Sequence, residues 1–342
     1  MKGTLSDFLT HQKMQCTDTE EALLELVVAL SHYTEEGNVL FPQVLLCDDL
    51  EVSLGLIRGS EPIRIGSGPK SAVTMRQALK RCAPLAHGNW IVYVQRIDRN
   101  FEYGVFRAPI APTAIDVRDT ILSLAEEKQK IRIIFVSQLA EKAVELVGSL
   151  FGCLHVYLSA TPDDAPSPRA TLTDFTDVAC ASVPRDIGEQ ASSFIRKTLS
   201  FALRNCHGTL LAVASSGATK ISGLTEDGVI FAKPIDIVAA IREYHEKRSD
   251  AALSSLNAIS SLVAGMVATD GIVLINDKAM ILGYNFFITS KKTSTPKPSE
   301  LVGGARLRAY NLLCKMVDSG KLRACYIQSS DGSAVFYGGK EK

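Results

Sequence analysis

Arg306 and Arg308 stand where a helix is expected to begin, just after Gly303-Gly304, and the spacing of Ala309, Leu312, Leu313, Met316 and Val317 predicts that helix. A helix N-terminus carries partial positive charge, so two guanidiniums there are disfavoured unless an anion neutralises them. The paired glycines leave backbone N–H groups bare where a phosphate can use them. Upstream, Asp270 precedes the apolar run Ile272-Val273-Leu274-Ile275 and is available for a metal ion or a hydroxyl proton. These types suit a polyphosphate held by a glycine turn and two guanidiniums, with one carboxylate nearby. The competing account makes both arginines solvated surface groups and Asp270 a turn residue, and short motifs alone do not choose between them.

The elements that must position these groups follow from the surrounding pattern. Ile272 to Ile275 has the β-branched content of a buried strand, Asn276-Asp277-Lys278 reads as a turn, and Ala279 to Ile288 completes a hairpin. A polar connector, Thr289 to Ser299, leads to the glycines. Helices are expected over Glu189 to Arg204, Pro234 to Glu246 and Asp250 to Val267, with strands over Leu210 to Ala214 and Ala324 to Ile327.

In this order the pieces resemble the diadenylate cyclase domain. That family is marked by an Asp-Gly pair opening a buried strand and, after a hairpin and connector, by Gly-Thr-Arg-His-Arg-Ala at a helix start. This chain offers Asp270-Gly271-Ile272 and Gly304-Ala305-Arg306-Leu307-Arg308-Ala309, with Glu300-Leu301 just upstream. The likeness spans residues 188–342 and implies a mixed sheet flanked by helices.

The resemblance also implies an activity. Such domains condense two ATP molecules into the second messenger cyclic di-AMP, each ribose 3′-hydroxyl attacking the other nucleotide's α-phosphate with loss of pyrophosphate. By that likeness Asp270 binds Mg²⁺ or Mn²⁺ and helps activate the hydroxyl, and Gly271 lets the sugar approach the backbone. Arg306 and Arg308 hold phosphates, with Thr269, Gly303, Gly304 and Ala305 as further nucleotide contacts. Phe286 and Phe287, ending the hairpin, line an adenine pocket or pack in the core. One domain binds one ATP, so a homo-oligomer, at least a dimer, is implied. The chain departs from the pattern at Ala305, where threonine is usual, and at Leu307, which replaces histidine. Gln328-Ser329-Ser330-Asp331-Gly332 follows the last core strand where the family often has a Ser-Glu-Glu turn. These departures leave a second reading, a nucleotide-binding regulator on the same fold without turnover.

Composition bounds the rest. The chain has 342 residues, 46% of them hydrophobic, enough for two domains with sizeable cores. Thirty-seven basic residues balance thirty-seven acidic ones, so no overall field draws it to nucleic acid or an anionic membrane. The eight cysteines are scattered without a Cys-x-x-Cys pair, which fits a reducing cytoplasm. Met1 to Thr19 lacks the apolar segment of a signal peptide, and no stretch is expected to reach membrane-crossing length.

The first half, residues 1–160, reads as a mixed α/β domain, and the resemblance implies that it is a sensor of a small-molecule or protein signal. Residues 1–17 are expected to form a loose arm, and Thr17-Asp18-Thr19-Glu20 to open a helix by capping-box logic. Strands are expected over Leu40 to Cys47, Val52 to Ile57, Ile63 to Ile65, Trp90 to Val94, Phe101 to Ala108, Ile131 to Ser137 and Leu154 to Ser159. Helices are expected over Ala72 to Cys82, Ala114 to Glu127 and Leu139 to Leu150, with a turn over Gly66 to Ser71. Strands alternating with helices at this spacing indicate a partly parallel sheet. His32, His87 and His155 look isolated, without metal or triad spacing. His87-Gly88-Asn89 and His207-Gly208-Thr209, each ahead of a strand, form a faint echo of duplication. The proline, serine and acidic content of Thr161 to Arg169 marks a linker, placed at 161–187.

Overall fold

The computed structural model describes residues 2–35, 37–57, 60–108, 112–113, 117–128, 131–140, 142–150, 152–158, 167–204, 206–218, 220–288 and 304–339. The chain forms two compact units, residues 1–111 with 115–160, and residues 112–114 with 161–342. Both are mixed α/β.

The first unit opens with α1 (Lys2–His11), α2 (Thr17–Leu30), the antiparallel pair β1 (Thr34–Glu35) and β2 (Asn38–Val39), β3 (Val44–Cys47), α3 (Leu50–Leu54) and β4 (Pro62–Pro69). It continues with α4 (Ala72–Cys82), β5 (Trp90–Ile97), β6 (Asn100–Arg107), α5 (Val117–Lys128), β7 (Ile133–Ala140), β8 (Ala143–Gly148) and β9 (Cys153–Tyr157). Its seven-stranded sheet runs β4-β6-β5-β3-β7-β8-β9. β3 and β5 are parallel, and the other neighbours are antiparallel. β3 is buried along its length because both faces are covered. Val44 and Leu46 share a core with α1, α2 and α4, while Leu45 and Cys47 pack in one with α3 and α5. A strand covered on both sides reads as a continuous apolar run rather than an alternation.

The second unit contains α6 (Pro168–Ala179), α7 (Arg185–Arg204), β10 (Thr209–Ala214), β11 (Val229–Asp236), α8 (Ile237–Lys247) and α9 (Asp250–Ala268). Then come β12 (Ile272–Asn276), β13 (Met280–Phe286), α10 (Ala305–Asp318), β14 (Ala324–Gln328) and β15 (Ala334–Gly338). Its six strands run β11-β13-β12-β10-β14-β15, with β10 and β12 parallel. On the central strand β10, Leu211 and Val213 pack with α6 to α9, and Leu210, Ala212 and Ala214 with α10.

The two strand orders are one path traced twice. Replacing β3, β4, β5, β6, β7 and β8 by β10, β11, β12, β13, β14 and β15 turns the first six positions of one sheet into the other. In both, the parallel pair joins the first and third strands of the series, and a helix, α5 or α10, precedes the fifth. The first unit adds β9. The counterpart of β5 is therefore β12, so the His-Gly echo before β5 and β10 joins strands that do not correspond.

Several sequence expectations are corrected. Residues 2–11 are a helix whose Leu5 and Leu9 are fully buried, not a loose arm. Cys16, rather than Thr17, is the N-cap of α2. The segment expected as a strand from Val52 forms α3, because Asp49 accepts a hydrogen bond from the Val52 N–H and caps a helical turn. Leu139 to Leu150 is not a helix but the end of β7 followed by β8, which pairs on both sides with β7 and β9. Gly66 to Pro69 continue edge strand β4 rather than turning. Pro234 lies in β11, an edge strand whose register shifts between Ile230 and Ile235, where a missing N–H is tolerated, and α8 starts only after the Asp236 cap. The 161–187 linker is corrected too: Ser167 caps α6, Pro168 takes the first helical position, and Leu172, Phe175 and Ala179 are buried in the second unit's core. Among the described residues one helix, α9, is long and apolar enough to cross a membrane by length and composition alone, with mean hydropathy 1.6 over its best 18-residue window, rich in Ala, Ser and Leu. Its Leu256, Val263, Met266 and Val267 belong to the core.

Candidate functional site

Leu210 of β10 lies opposite Ile272 of β12. Gly208 and Asp270 each precede that paired position by two residues, so both stand at this end of the sheet. β14 runs the other way, so its last residue, Gln328, pairs with Thr209, and Ile272 pairs with Phe286 at the end of β13. One end of the sheet thus gathers the starts of β10 and β12 and the ends of β13 and β14. α10 begins at this same end, since Arg306 Nη1 donates to the His207 carbonyl at 3.0 Å.

Two glycines make the approach possible. Gly208, at φ +93°, admits the guanidinium: a Cβ there would stand 2.6 Å from Arg306 Nη1 and 2.7 Å from the Gln328 carbonyl. Gly271, at φ +101°, lies against β13, where a Cβ would come 2.8 Å from Asn285 Cα. Asp270, two residues before β12, is exposed and, among the described residues, has no hydrogen bond or ion pair. Thr269 Oγ1 donates to the Met266 carbonyl at 2.6 Å, so its hydroxyl finishes α9. At the start of α10, Gly304 makes no side-chain cap, so among the described residues no N-cap side chain takes up the N–H groups of the first turn. Ala305 is exposed, and Arg308 is exposed one turn into the helix. Gly303, Glu300, Leu301 and the connector 289–299 lie outside the described residues.

Phe286 does not line a cleft. It is fully buried in the core with Leu210, Ile272 and Leu274, because the β12–β13 register turns it inward; Phe287 is 44% exposed. Gln328 is also buried, its Nε2 donating to the Leu203 carbonyl and its Oε1 accepting from Tyr326. Asp331 spends its Oδ1 on the N–H and hydroxyl of Ser333.

The other end of β12 carries a contrasting carboxylate. Asp277 is buried, ion-paired with Arg323 and accepting from Ser182 Oγ at 3.0 Å. Of the two aspartates bracketing this strand, Asp277 is committed to holding the fold and Asp270 is not.

A second cluster, in the first unit, escaped sequence reasoning. Ser137, Glu145 and His155 are successive cross-strand partners on β7, β8 and β9, and Cys153 shares the His155 face two residues earlier. Arg118 Nη1 donates to Glu145 Oε2 at 2.5 Å and to Ser137 Oγ at 3.3 Å. Glu145 Oε1 lies 3.3 Å from His155 Nε2 and 3.7 Å from Cys153 Sγ. Burial pulls the Glu145 carboxyl upward, but Arg118 and His155 outweigh it and hold it at about 2. Burial, then Glu145, push the Cys153 thiol up to about 12. His155 is therefore not isolated. The Cys-x-His alternation is a usable signal, but the residues around Glu145 predict a helix and so hide the third member.

No protein-family model, curated protein or solved structure matches this chain.

Proposed function

We propose that the second unit binds ATP and acts as a diadenylate-cyclase-like nucleotidyltransferase, forming cyclic di-AMP across a face-to-face oligomer, with the first unit adjusting how the faces meet. The observation that carries this is the β10–β12 register, which brings Asp270 to the same end of the sheet as Gly208, the glycine against which Arg306 rests. Only one N–H of Arg306 is used by His207; among the described residues its other donors have no partner, and they suit phosphate oxygens. The uncapped first turn of α10 supports the same anion. Asp270 suits Mg²⁺ or Mn²⁺, which take one or two carboxylates and complete their shell with water and phosphate. Bound there, such an ion neutralises phosphate charge and makes the ribose hydroxyl more acidic.

In the reaction the 3′-oxygen of one ATP bonds to the α-phosphorus of the other, the bond to the β-phosphate oxygen breaks, and pyrophosphate leaves. Asp270 receives the hydroxyl proton or passes it to water, and Arg306 and Arg308 hold phosphate oxygens in line. Gly271 leaves space for the sugar. The geometry must be repeated by a second copy, because one site holds one nucleotide. Such chemistry is sensitive to small displacements, which suits control by a sensor half that takes a small-molecule or protein signal. The first unit fits that role: Arg118, second residue of α5 as Arg306 is of α10, is tied to Glu145. Eight unbridged cysteines support a cytoplasmic location.

A second reading rests on Ala305 and on Leu307, which is 44% exposed: neither offers a polar group to the nucleotide. It makes the unit an ATP-binding regulator without turnover. Incubation with ATP and Mg²⁺ or Mn²⁺, read by mass spectrometry, separates the two. Cyclic di-AMP and pyrophosphate lost in Asp270→Asn support the cyclase. ATP binding without product supports the regulator. Equal product from both proteins refutes the role of Asp270, and neither binding nor product refutes both readings.

A further inference from the structure

We propose that Glu145, Cys153 and His155 form a transition-metal site of the zinc class in the first unit. This site is independent of the nucleotide reading, which concerns the other unit and an oxygen-ligated ion. The argument begins with ligand types. A thiolate and an imidazole select Zn²⁺ and its relatives over Mg²⁺ or Ca²⁺, and a carboxylate oxygen is a common third partner.

Geometry makes the case quantitative. Zinc bond lengths of about 2.0–2.1 Å to nitrogen or oxygen and about 2.3 Å to sulfur, at tetrahedral angles, require ligand separations near 3.3 Å for N–O and about 3.5 Å for S–N and S–O. The observed separations are 3.3 Å for His155 Nε2 to Glu145 Oε1, 3.4 Å for Cys153 Sγ to His155 Nε2, and 3.7 Å for Cys153 Sγ to Glu145 Oε1. Three corners of a tetrahedron are thus already spaced to share one ion.

The fold supplies the remaining requirements. Glu145 and His155 are paired across β8 and β9, so the backbone fixes their separation. Arg118 holds the outer oxygen of Glu145 and leaves Oε1 turned to the other two ligands, the kind of outer contact that orients a metal-binding carboxylate. β9 is the strand that the first unit has and the second lacks, and it brings both Cys153 and His155. It is also the sheet edge, where Cys153 is exposed as a residue while its sulfur is partly enclosed beside Glu145. On binding, Cys153 gives its S–H proton to solvent, neutral His155 uses the Nε2 lone pair with its proton on Nδ1, and Glu145 binds through Oε1. The fourth corner is left for water or an external ligand, as in open zinc sites.

The test uses the full chain, stripped with a chelator and titrated with Zn²⁺ or Co²⁺. The expected result is one equivalent of Zn²⁺ retained through gel filtration, and a thiolate-to-metal charge-transfer band with Co²⁺ in the wild-type protein. Cys153→Ser should abolish the band and weaken Zn²⁺ binding by more than the roughly 10–100-fold that loss of an outer partner costs. Cys16→Ser should keep both. Absence of the band in folded wild-type protein, or a band that survives Cys153→Ser, would overturn the proposal. A His155→Gln variant, read by the same two measurements, guards against a folding defect peculiar to the serine change.

Discussion

Gly271→Ala tests the packing on which the nucleotide site is built. At φ +101° the residue sits where an L side chain is strained, and the added methyl would lie 2.8 Å from Asn285 Cα and 2.9 Å from its carbonyl carbon. Both neighbours are backbone atoms of β13, so no side chain can swing away to relieve the contact. Left-handed backbone costs a residue other than glycine about 1–2 kcal/mol. Forcing a methyl into filled space adds about 1–3 kcal/mol, so the loss is about 2–5 kcal/mol. For a unit of this size that lowers the melting midpoint by on the order of 10 °C. Gly265→Ala is the control: it lies inside α9, has nothing within 4 Å of its Cβ position, and should gain up to about 1 kcal/mol from helix propensity. Thermal melts followed by circular dichroism measure both. A Gly271→Ala protein that melts at or above the wild-type temperature would refute the close approach of β13 to the start of β12.

Other expectations follow from the same contacts. Arg306→Ala removes a guanidinium from the proposed phosphate site, and at about 1.5–3 kcal/mol for a hydrogen bond to a charged group the ATP dissociation constant should rise about 10–150-fold by calorimetry; unchanged affinity would exclude this arginine from the site. In metal-free protein, Glu145 has a folded pKa of about 2, below the ordinary 4.5. Its contribution, about 3 kcal/mol by linkage, is present above pH 4.5 and lost as the pH falls through about 2, so Glu145→Gln should flatten the acid limb of urea-unfolding stability. Cys16 stands at the N-cap of α2, where the Thr19 amide beside its sulfur lowers the thiol pKa, whereas burial raises that of Cys325. Peptide mapping after brief iodoacetamide treatment should find Cys16 modified well before Cys325.

What the sequence revealed depended on whether a single element carried its own pattern. α2, α4 and α7 read correctly because their apolar residues recur at helical spacing, and the β5–β6 and β12–β13 hairpins because short turns separate apolar runs. α6 was lost behind a proline that starts a helix as readily as it ends one. β8 was lost because its Val144, Leu146 alternation was outweighed by helix-forming neighbours, and only pairing with β7 and β9 decides it. The same difference separates the sites. Asp270 and Arg306 are flagged by glycines beside them in the chain, while Glu145 meets Cys153 and His155 only through a cross-strand register that the local Cys-x-His spacing does not encode. Phe286 had an apolar identity compatible with a pocket or a core, and register alone sent it inward.

The placement of β10 at the middle of its sheet governs the order in which the second unit can assemble. One neighbour, β12, arrives only after the long crossover through β11, α8 and α9, and the other, β14, only after β13 and α10. Until residues 324–328 are made, β10 keeps an unpaired flank of Thr-Leu-Leu-Ala-Val-Ala, an uncharged and strongly apolar template for sticking to another chain. A nascent or truncated polypeptide stopping in α10 is thus expected to aggregate through that flank, even though every residue of the proposed nucleotide site has already been synthesised.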